Sequence, residues 1–172
     1  GKRRFMKTIL VATDYSKTAL NAVNYAAEMA MRSKAKLLLV HVYHAPVIMS
    51  EVPVVIPSIE EMEEDSLKEL GKIEKKLKVK FGLKLRTEKI VRCGLAVDEI
   101  MDLVKELKID LVVMGMQGAG MVAEKLAGST TTALIQKADF PVLTINEKVK
   151  YKAIKKIVLA CDYQEIKNLK AL

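Results

Sequence analysis

Short apolar runs alternate along this chain with segments whose apolar residues recur at helical spacing, and this alternation restricts the possible folds most. Continuous runs rich in aliphatic and β-branched residues are typical of strands buried on both faces. Five strands are predicted, at residues 7–13, 35–42, 83–91, 109–114 and 140–145. Four helices are predicted between them, at residues 16–33, 58–81, 97–107 and 128–137. The pattern predicts the α/β class, with an open five-stranded parallel sheet and helices on both faces.

Length and composition favour one full domain with an appendage. With 172 residues, of which 51% are apolar, the chain can bury one core. No apolar run approaches the roughly 20 residues of a membrane span, and the N-terminus lacks a signal-peptide pattern, so we expect a cytoplasmic protein without membrane association. Cys93 and Cys161 have no metal-binding spacing and are expected to be reduced thiols, with Cys93 buried or half-buried.

The net charge of +8 lies mainly at the two ends of the chain. Basic residues cluster in residues 1–7, and seven lysines stand against two acidic residues in residues 148–172. The body between these ends is close to neutral and has no basic patch interleaved with aromatic residues. We therefore expect no dedicated nucleic-acid function.

A glycine-rich loop joins the fourth predicted strand to the fourth predicted helix. Its glycines and the hydroxyl residues that follow them are Gly115, Gly118, Gly120, Gly128, Ser129 and Thr130. Glycine permits close approach of the backbone and positive φ, and the start of a helix presents unpaired N–H groups. This junction predicts a binding site for a phosphate group.

Asp14 ends the first predicted strand, at the edge where an open α/β sheet binds ligands. Its carboxylate can accept hydrogen bonds from ribose hydroxyls. Alternatively, Asp14 caps the first helix beside Ser16. The ligand role is favoured here over the capping role.

Other motifs carry less weight. The segment 118–123 fits a loose G-x-G-x-x-A dinucleotide pattern, but it lies late in the fold, and no P-loop motif occurs. His41 and His44 lack a third metal ligand, so we expect a hydrogen-bonded histidine at a strand end and no metal site. No set of residues suggests a catalytic triad or dyad.

The spacing Gly115-x2-Gly118-x9-Gly128-Ser129 between a buried strand and a helix resembles the signature region of the universal stress protein family. The resemblance covers residues 7–145. It includes a first strand that is followed by Asp14, a second strand that ends in His41-Val42 and a last strand that contains Pro141-Val-Leu-Thr.

The resemblance implies strand order 3-2-1-4-5 and, because the glycine signature is present, ATP binding, with Mg²⁺ as a possible companion ion. The residues it assigns to the nucleotide are Ala12, Thr13, Asp14, Val42, Met114, Gly115, Gly118, Gly128, Ser129 and Thr130. The chain departs from the family at Met116-Gln117, where members commonly place Ser with His or Arg. One phosphate-facing cation is therefore missing, which affects triphosphate affinity more than adenosine binding.

Residues 155–163 (KKIVLACDY) resemble residues 7–15 (KTILVATDY), as though the chain begins to repeat itself. We expect an N-terminal arm at residues 1–6, a universal stress protein domain at residues 7–147, and a linker with the first strand of a truncated second repeat at residues 148–172. That strand is expected to be disordered or to join an exposed sheet edge. Tandem members of the family also exist.

The resemblance implies a noncatalytic nucleotide-binding stress-response protein, in which ATP stabilises one conformation or dimer. The alternatives are a slow ATPase and a nucleotide-independent dimerisation scaffold. The expected partner is an adenine nucleotide, together with a second copy that pairs through the last strand or the chain's own second repeat.

Overall fold

Five parallel strands form one sheet in the order β3-β2-β1-β4-β5 in the computed structural model, which describes residues 6–45, 57–116 and 129–158. The strands are β1 (Thr8–Ala12), β2 (Lys36–Tyr43), β3 (Thr87–Cys93), β4 (Leu111–Met116) and β5 (Val142–Asn146). The helices are α1 (Lys17–Ser33), α2 (Ile59–Phe81), α3 (Ala96–Leu107) and α4 (Ser129–Lys137). The predicted fold class and strand order are confirmed.

Helices cover the sheet on both faces. One core cluster combines residues of α1 and α2 with one side of the sheet, and a second combines residues of α3 and α4 with the other side. Alternate residues of β1 serve both clusters, since Ile9 and Val11 face α1 and α2 while Leu10 faces α3 and α4. Burial on both faces explains why the central strands read as continuous apolar runs.

The starts of α1 and α2 follow from side-chain caps that the sequence contains. Ser16 accepts a hydrogen bond from the Ala19 amide (3.2 Å), and Ser58 and Glu61 form a reciprocal capping box. Both helices therefore begin one residue after the serine that caps them.

Two strand starts differ from the prediction. β3 begins at Thr87 instead of residue 83, because Gly82 (φ 74°) ends α2 and a turn occupies the following residues. β5 begins at Val142 instead of residue 140. Pro141 precedes it and has no N–H to donate, although its carbonyl accepts from the Val112 amide at 3.1 Å.

A short strap after β5 lies against α1. The side-chain amide of Asn21 donates to the carbonyls of Asn146 (2.8 Å) and Val149 (2.9 Å). Farther along, the Tyr151 ring contacts Tyr25 edge-on at a centroid distance of 5.1 Å, and Arg32 lies 5.4 Å from the centroid of the Tyr151 ring. These contacts hold the chain along α1 as it leaves the sheet.

The predicted strand at residues 155–161 is described only up to residue 158. Residues 151–158 form no strand, and Ile157 and Val158 are 85% and 81% exposed. The remaining residues of this prediction lie outside the described part of the chain. Within the described part, no helix is both long enough and apolar enough to cross a membrane.

The prediction for Cys93 is wrong, because its side chain is exposed. It is the last residue of β3, an edge strand that is only partly covered.

Candidate functional site

A cavity of about 410 Å³ opens at the carboxyl ends of the strands. It lies at the point where the order of strand addition reverses. From β1 the chain adds β2 and β3 on one side, and then β4 and β5 on the other side of β1. The helices α1 and α4, which follow β1 and β4 in the chain, pack on opposite faces of the sheet, and such a divergence leaves a crevice for ligands.

Eight of the ten residues that the family resemblance assigned to the nucleotide line this cavity. They are Ala12, Thr13, Asp14, Val42, Met114, Gly115, Ser129 and Thr130. Gly118, Gly128 and the divergent Gln117 lie outside the described residues. The structure therefore brings together residues from four separate stretches of the chain, and their contact with a ligand stays a prediction.

Several lining residues were not assigned to the ligand from the sequence, although Ser16 and His44 were considered there for other roles. They are Ser16, Thr18, Ala19, His44, Ala96, Ile100 and Thr131. The sequence could have indicated Thr131, because it directly follows Ser129 and Thr130, the two hydroxyl residues that were assigned to the nucleotide. No local pattern pointed to Ala96 or Ile100, which reach the cavity only because α3 packs beside α4.

Asp14 and its neighbours form a tight turn between β1 and α1. The Ser16 amide donates to Oδ1 of Asp14 (3.0 Å), and the Tyr15 amide donates to Oγ1 of Thr13 (3.0 Å). The cap of α1 is provided by Ser16, so Asp14 is not the helix cap. Its exposed carboxylate is oriented by one amide hydrogen bond while it lines the cavity.

Tyr15 adopts a positive φ of 65°, which is unusual for a bulky residue. Its ring packs on the ring of His41, with centroids 4.6 Å apart and planes inclined by 42°. Nδ1 of His41 lies 2.8 Å from the carbonyl oxygen of Thr13, so Nδ1 carries the proton and donates it. The expected hydrogen-bonded histidine at a strand end is therefore confirmed for His41.

A glycine is needed at position 115 because the start of α1 packs closely against the end of β4. A Cβ at this position would lie 2.9 Å from the carbonyl carbon and oxygen of Thr18 and from the amide nitrogen of Ala19. On its other side, the hydroxyl of Thr131 donates to the Gly115 carbonyl at 3.0 Å. The first turns of α1 and α4 thus both contact the end of β4, and both border the cavity.

These two helix starts add positive partial charge to the border of the cavity. The N-terminus of a helix carries unpaired N–H groups and a partial positive charge, and neither α1 nor α4 has an acidic residue in its first turn. Among the described lining residues, the ionisable side chains are Asp14 and His44. In the described part of the chain, no three His, Cys, Asp or Glu side chains are grouped to hold a metal ion.

Comparison with known proteins gives one consistent assignment. The sequence profile of the universal stress protein family matches residues 6–146. A universal stress protein from Thermus aquaticus is 31% identical over 140 residues, which cover 81% of this chain and 98% of that protein.

Two solved structures share the fold. A family member from Burkholderia pseudomallei aligns with a TM-score of 0.62 and 25% identity, over 84% of this chain and 98% of that one. A universal stress protein in complex with cAMP aligns with a TM-score of 0.63 and 23% identity, over 84% and 99% of the two chains. This chain belongs to the universal stress protein family.

Proposed function

We propose that this domain is of the ATP-binding subtype and binds ATP in the cavity at the carboxyl edge of the sheet, as a noncatalytic, cytoplasmic sensor or regulator of the stress response. The observation that carries the proposal is the convergence of two helix N-termini on one crevice beside β4. Such termini attract anions, and a crevice of this size suits a small ligand.

The lining residues fit an adenine nucleotide in three parts. Thr130 and Ser129 present hydroxyl donors to phosphate oxygens at the start of α4, and they follow Gly118 and Gly128 of the glycine-rich junction in the sequence. The carboxylate of Asp14 accepts hydrogen bonds from ribose hydroxyls. The apolar residues Val42 and Ala96, with Ala12 and Met114, offer a surface for the adenine ring, and the fully buried Ile100 lies behind them.

The relative that was solved in complex with cAMP supports this proposal at the level of the fold, since a chain of this architecture holds an adenine nucleotide. Mg²⁺ would accompany ATP through the phosphate oxygens, as is usual for this ion. Binding and the resulting stabilisation of one conformation or dimer are then the function, and any hydrolysis is slow.

Thermal unfolding with ATP tests the proposal. A ligand at 100 times its dissociation constant stabilises a fold by about 2.7 kcal/mol. For a chain of this length, we expect the melting temperature to rise by about 5–10 °C with millimolar ATP and Mg²⁺. The absence of a shift, together with no nucleotide in mass spectra of the purified protein, would refute ATP binding.

Two threonines of α4 provide a matched pair of variants. Thr130→Val removes a lining hydroxyl and is expected to weaken ATP binding about tenfold, as for a lost hydrogen bond to a charged group. Thr132→Val makes the same change on the exposed side of the helix and is expected to leave the affinity unchanged. Phosphate release above background that Asp14→Ala abolishes would favour the slow ATPase instead.

We further propose that residues 7–147 form the nucleotide-binding unit and that residues 148–172 lead into a second repeat. The likeness of residues 155–163 to residues 7–15 supports this assignment. Homodimerisation through β5, or pairing of β5 with that second repeat, completes the proposed assembly, because an apolar edge strand favours a pairing partner.

A further inference from the structure

Two tyrosines connect the rim of the cavity to α2. Tyr15 lies between Asp14 and Ser16, and Tyr43 lies between Val42 and His44, so each has cavity-lining residues on both sides in sequence. Tyr15 and Tyr43 themselves do not line the cavity. Their hydroxyls donate to backbone carbonyls of α2, from Tyr15 to Ser66 (3.3 Å) and from Tyr43 to Ile59 (3.4 Å). These carbonyls are about two helical turns apart, so the N-terminal half of α2 is attached to the rim at two points.

The attachment through Tyr15 is the more constrained of the two. Its amide is held by Thr13, its ring packs on His41, and His41 is in turn hydrogen-bonded to the Thr13 carbonyl. A residue with a positive φ keeps that conformation only where its surroundings enforce it. The turn that presents Asp14 and the ring of Tyr15 therefore form one rigid unit, and a shift of the turn moves the hydroxyl.

The Tyr15 hydroxyl stays protonated at every physiological pH. Burial, followed by the negative charge of Glu69, raises the pKa of Tyr15 to about 12. It is thus a permanent donor to Ser66. The Ser66 carbonyl also accepts from the amide of Leu70 within the helix, so that amide reports on this part of α2.

We propose that Tyr15 is a positioning residue that couples nucleotide occupancy of the cavity to the N-terminal half of α2. This inference rests on the proposed ATP binding. When Asp14 engages the ribose, this rigid unit is held in one position, and the hydrogen bond from Tyr15 to Ser66 transmits that restraint to α2. The first turns of α2 expose Glu60, Glu63 and Glu64, so the surface that responds to the nucleotide is acidic and suits a basic partner.

Amide hydrogen exchange, measured by NMR with and without ATP and Mg²⁺, tests the coupling. In the wild-type protein, ATP is expected to slow exchange at Leu70 and its α2 neighbours about fivefold or more, the usual lower range of coupling between sites. Tyr15→Phe keeps the ring on His41 but removes the hydroxyl. We expect it to bind ATP within about threefold of the wild type and to lose the slowing in α2.

Tyr25→Phe is the matched control. It removes a hydroxyl from a buried tyrosine of α1 whose ring contacts Tyr151, away from the contact between Tyr15 and Ser66. It is expected to retain both ATP binding and the slowing in α2. This control separates the loss of the contact with Ser66 from a general effect of removing a buried hydroxyl.

The possible results distinguish the two proposals. ATP binding without a change in α2 exchange, or slowing that survives in Tyr15→Phe, would overturn the coupling and leave the proposed function intact. No ATP binding by the wild-type protein would overturn both. Loss of ATP binding in Tyr15→Phe and in Tyr25→Phe alike would make Tyr15 merely structural and would also refute the coupling.

Discussion

At the scale of single residues, Gly115 shows how one position serves packing and the site together. Because a Cβ there would meet backbone atoms of Thr18 and Ala19, which cannot rotate away, α1 would have to shift. Gly115→Ala is therefore expected to lower the free energy of unfolding by about 1–3 kcal/mol, as overpacking does. Urea denaturation measures this change. The displaced start of α1 also borders the cavity, so ATP binding is expected to weaken.

Gly71, within α2, provides a control in which the same substitution is expected to change the free energy of unfolding in the opposite direction. A Cβ there would meet only the Lys89 ammonium group, at an ordinary 3.6 Å. Gly71→Ala is expected to raise the free energy of unfolding by about 0.5–1 kcal/mol, because alanine is the better helix former. Equal stability of Gly115→Ala and the wild type would contradict the packing argument.

At the scale of elements, Glu74 joins α2 to β3. It accepts a hydrogen bond from the Thr87 hydroxyl (2.5 Å) and forms ion pairs with Lys78 and Lys89. Burial opposes ionisation of this carboxyl, but these three partners outweigh burial and hold its pKa below the usual value. A lowered carboxyl pKa stabilises the fold above the pKa of the unfolded chain, about 4.3, and the contribution is lost as the pH falls through the folded value.

Glu74→Gln is accordingly expected to lower the free energy of unfolding by about 1 kcal/mol at pH 7 and by less at pH 3. Denaturation curves at the two pH values measure the difference. Glu64→Gln is the control, since Glu64 pairs with Lys68 where both side chains are largely exposed, and it is expected to leave the midpoint nearly unchanged. A loss for Glu74→Gln that is the same at both pH values would contradict the role of the ionised carboxylate.

At the scale of the whole molecule, β5 is an edge strand whose residues Val142, Leu143 and Thr144 are only partly buried. If copies pair through this edge, sedimentation is expected to show a dimer that dissociates on dilution. Thr144→Lys places a charge on the edge and should shift the protein toward the monomer. Thr132→Lys, on the exposed side of α4, should not. A wild-type monomer at every concentration would exclude this dimer.

Much of this architecture could be predicted from the sequence because the signals are local. Apolar runs and helical spacing indicate the elements, Ser16 and Ser58 mark two helix starts, and the glycine-rich junction after β4 points to an anion. Asp14 could be chosen as a ligand candidate because the end of a parallel strand lies at the binding edge whatever the surrounding sequence.

Only the tertiary structure decided which distant residues meet. It brings Ala96, Ile100 and Thr131 to the cavity and leaves Cys93 exposed. It also shows that a glycine is needed at position 115 because α1 packs closely against it. It also bonds Tyr15 to Ser66, 51 residues away. Periodicity and caps depend on neighbours within a few residues, whereas these contacts depend on how helices and strands pack across the sheet. The sequence by itself determined the elements and predicted an anionic ligand, and the packing decided the shape of the cavity and the hydrogen bond from its rim to α2.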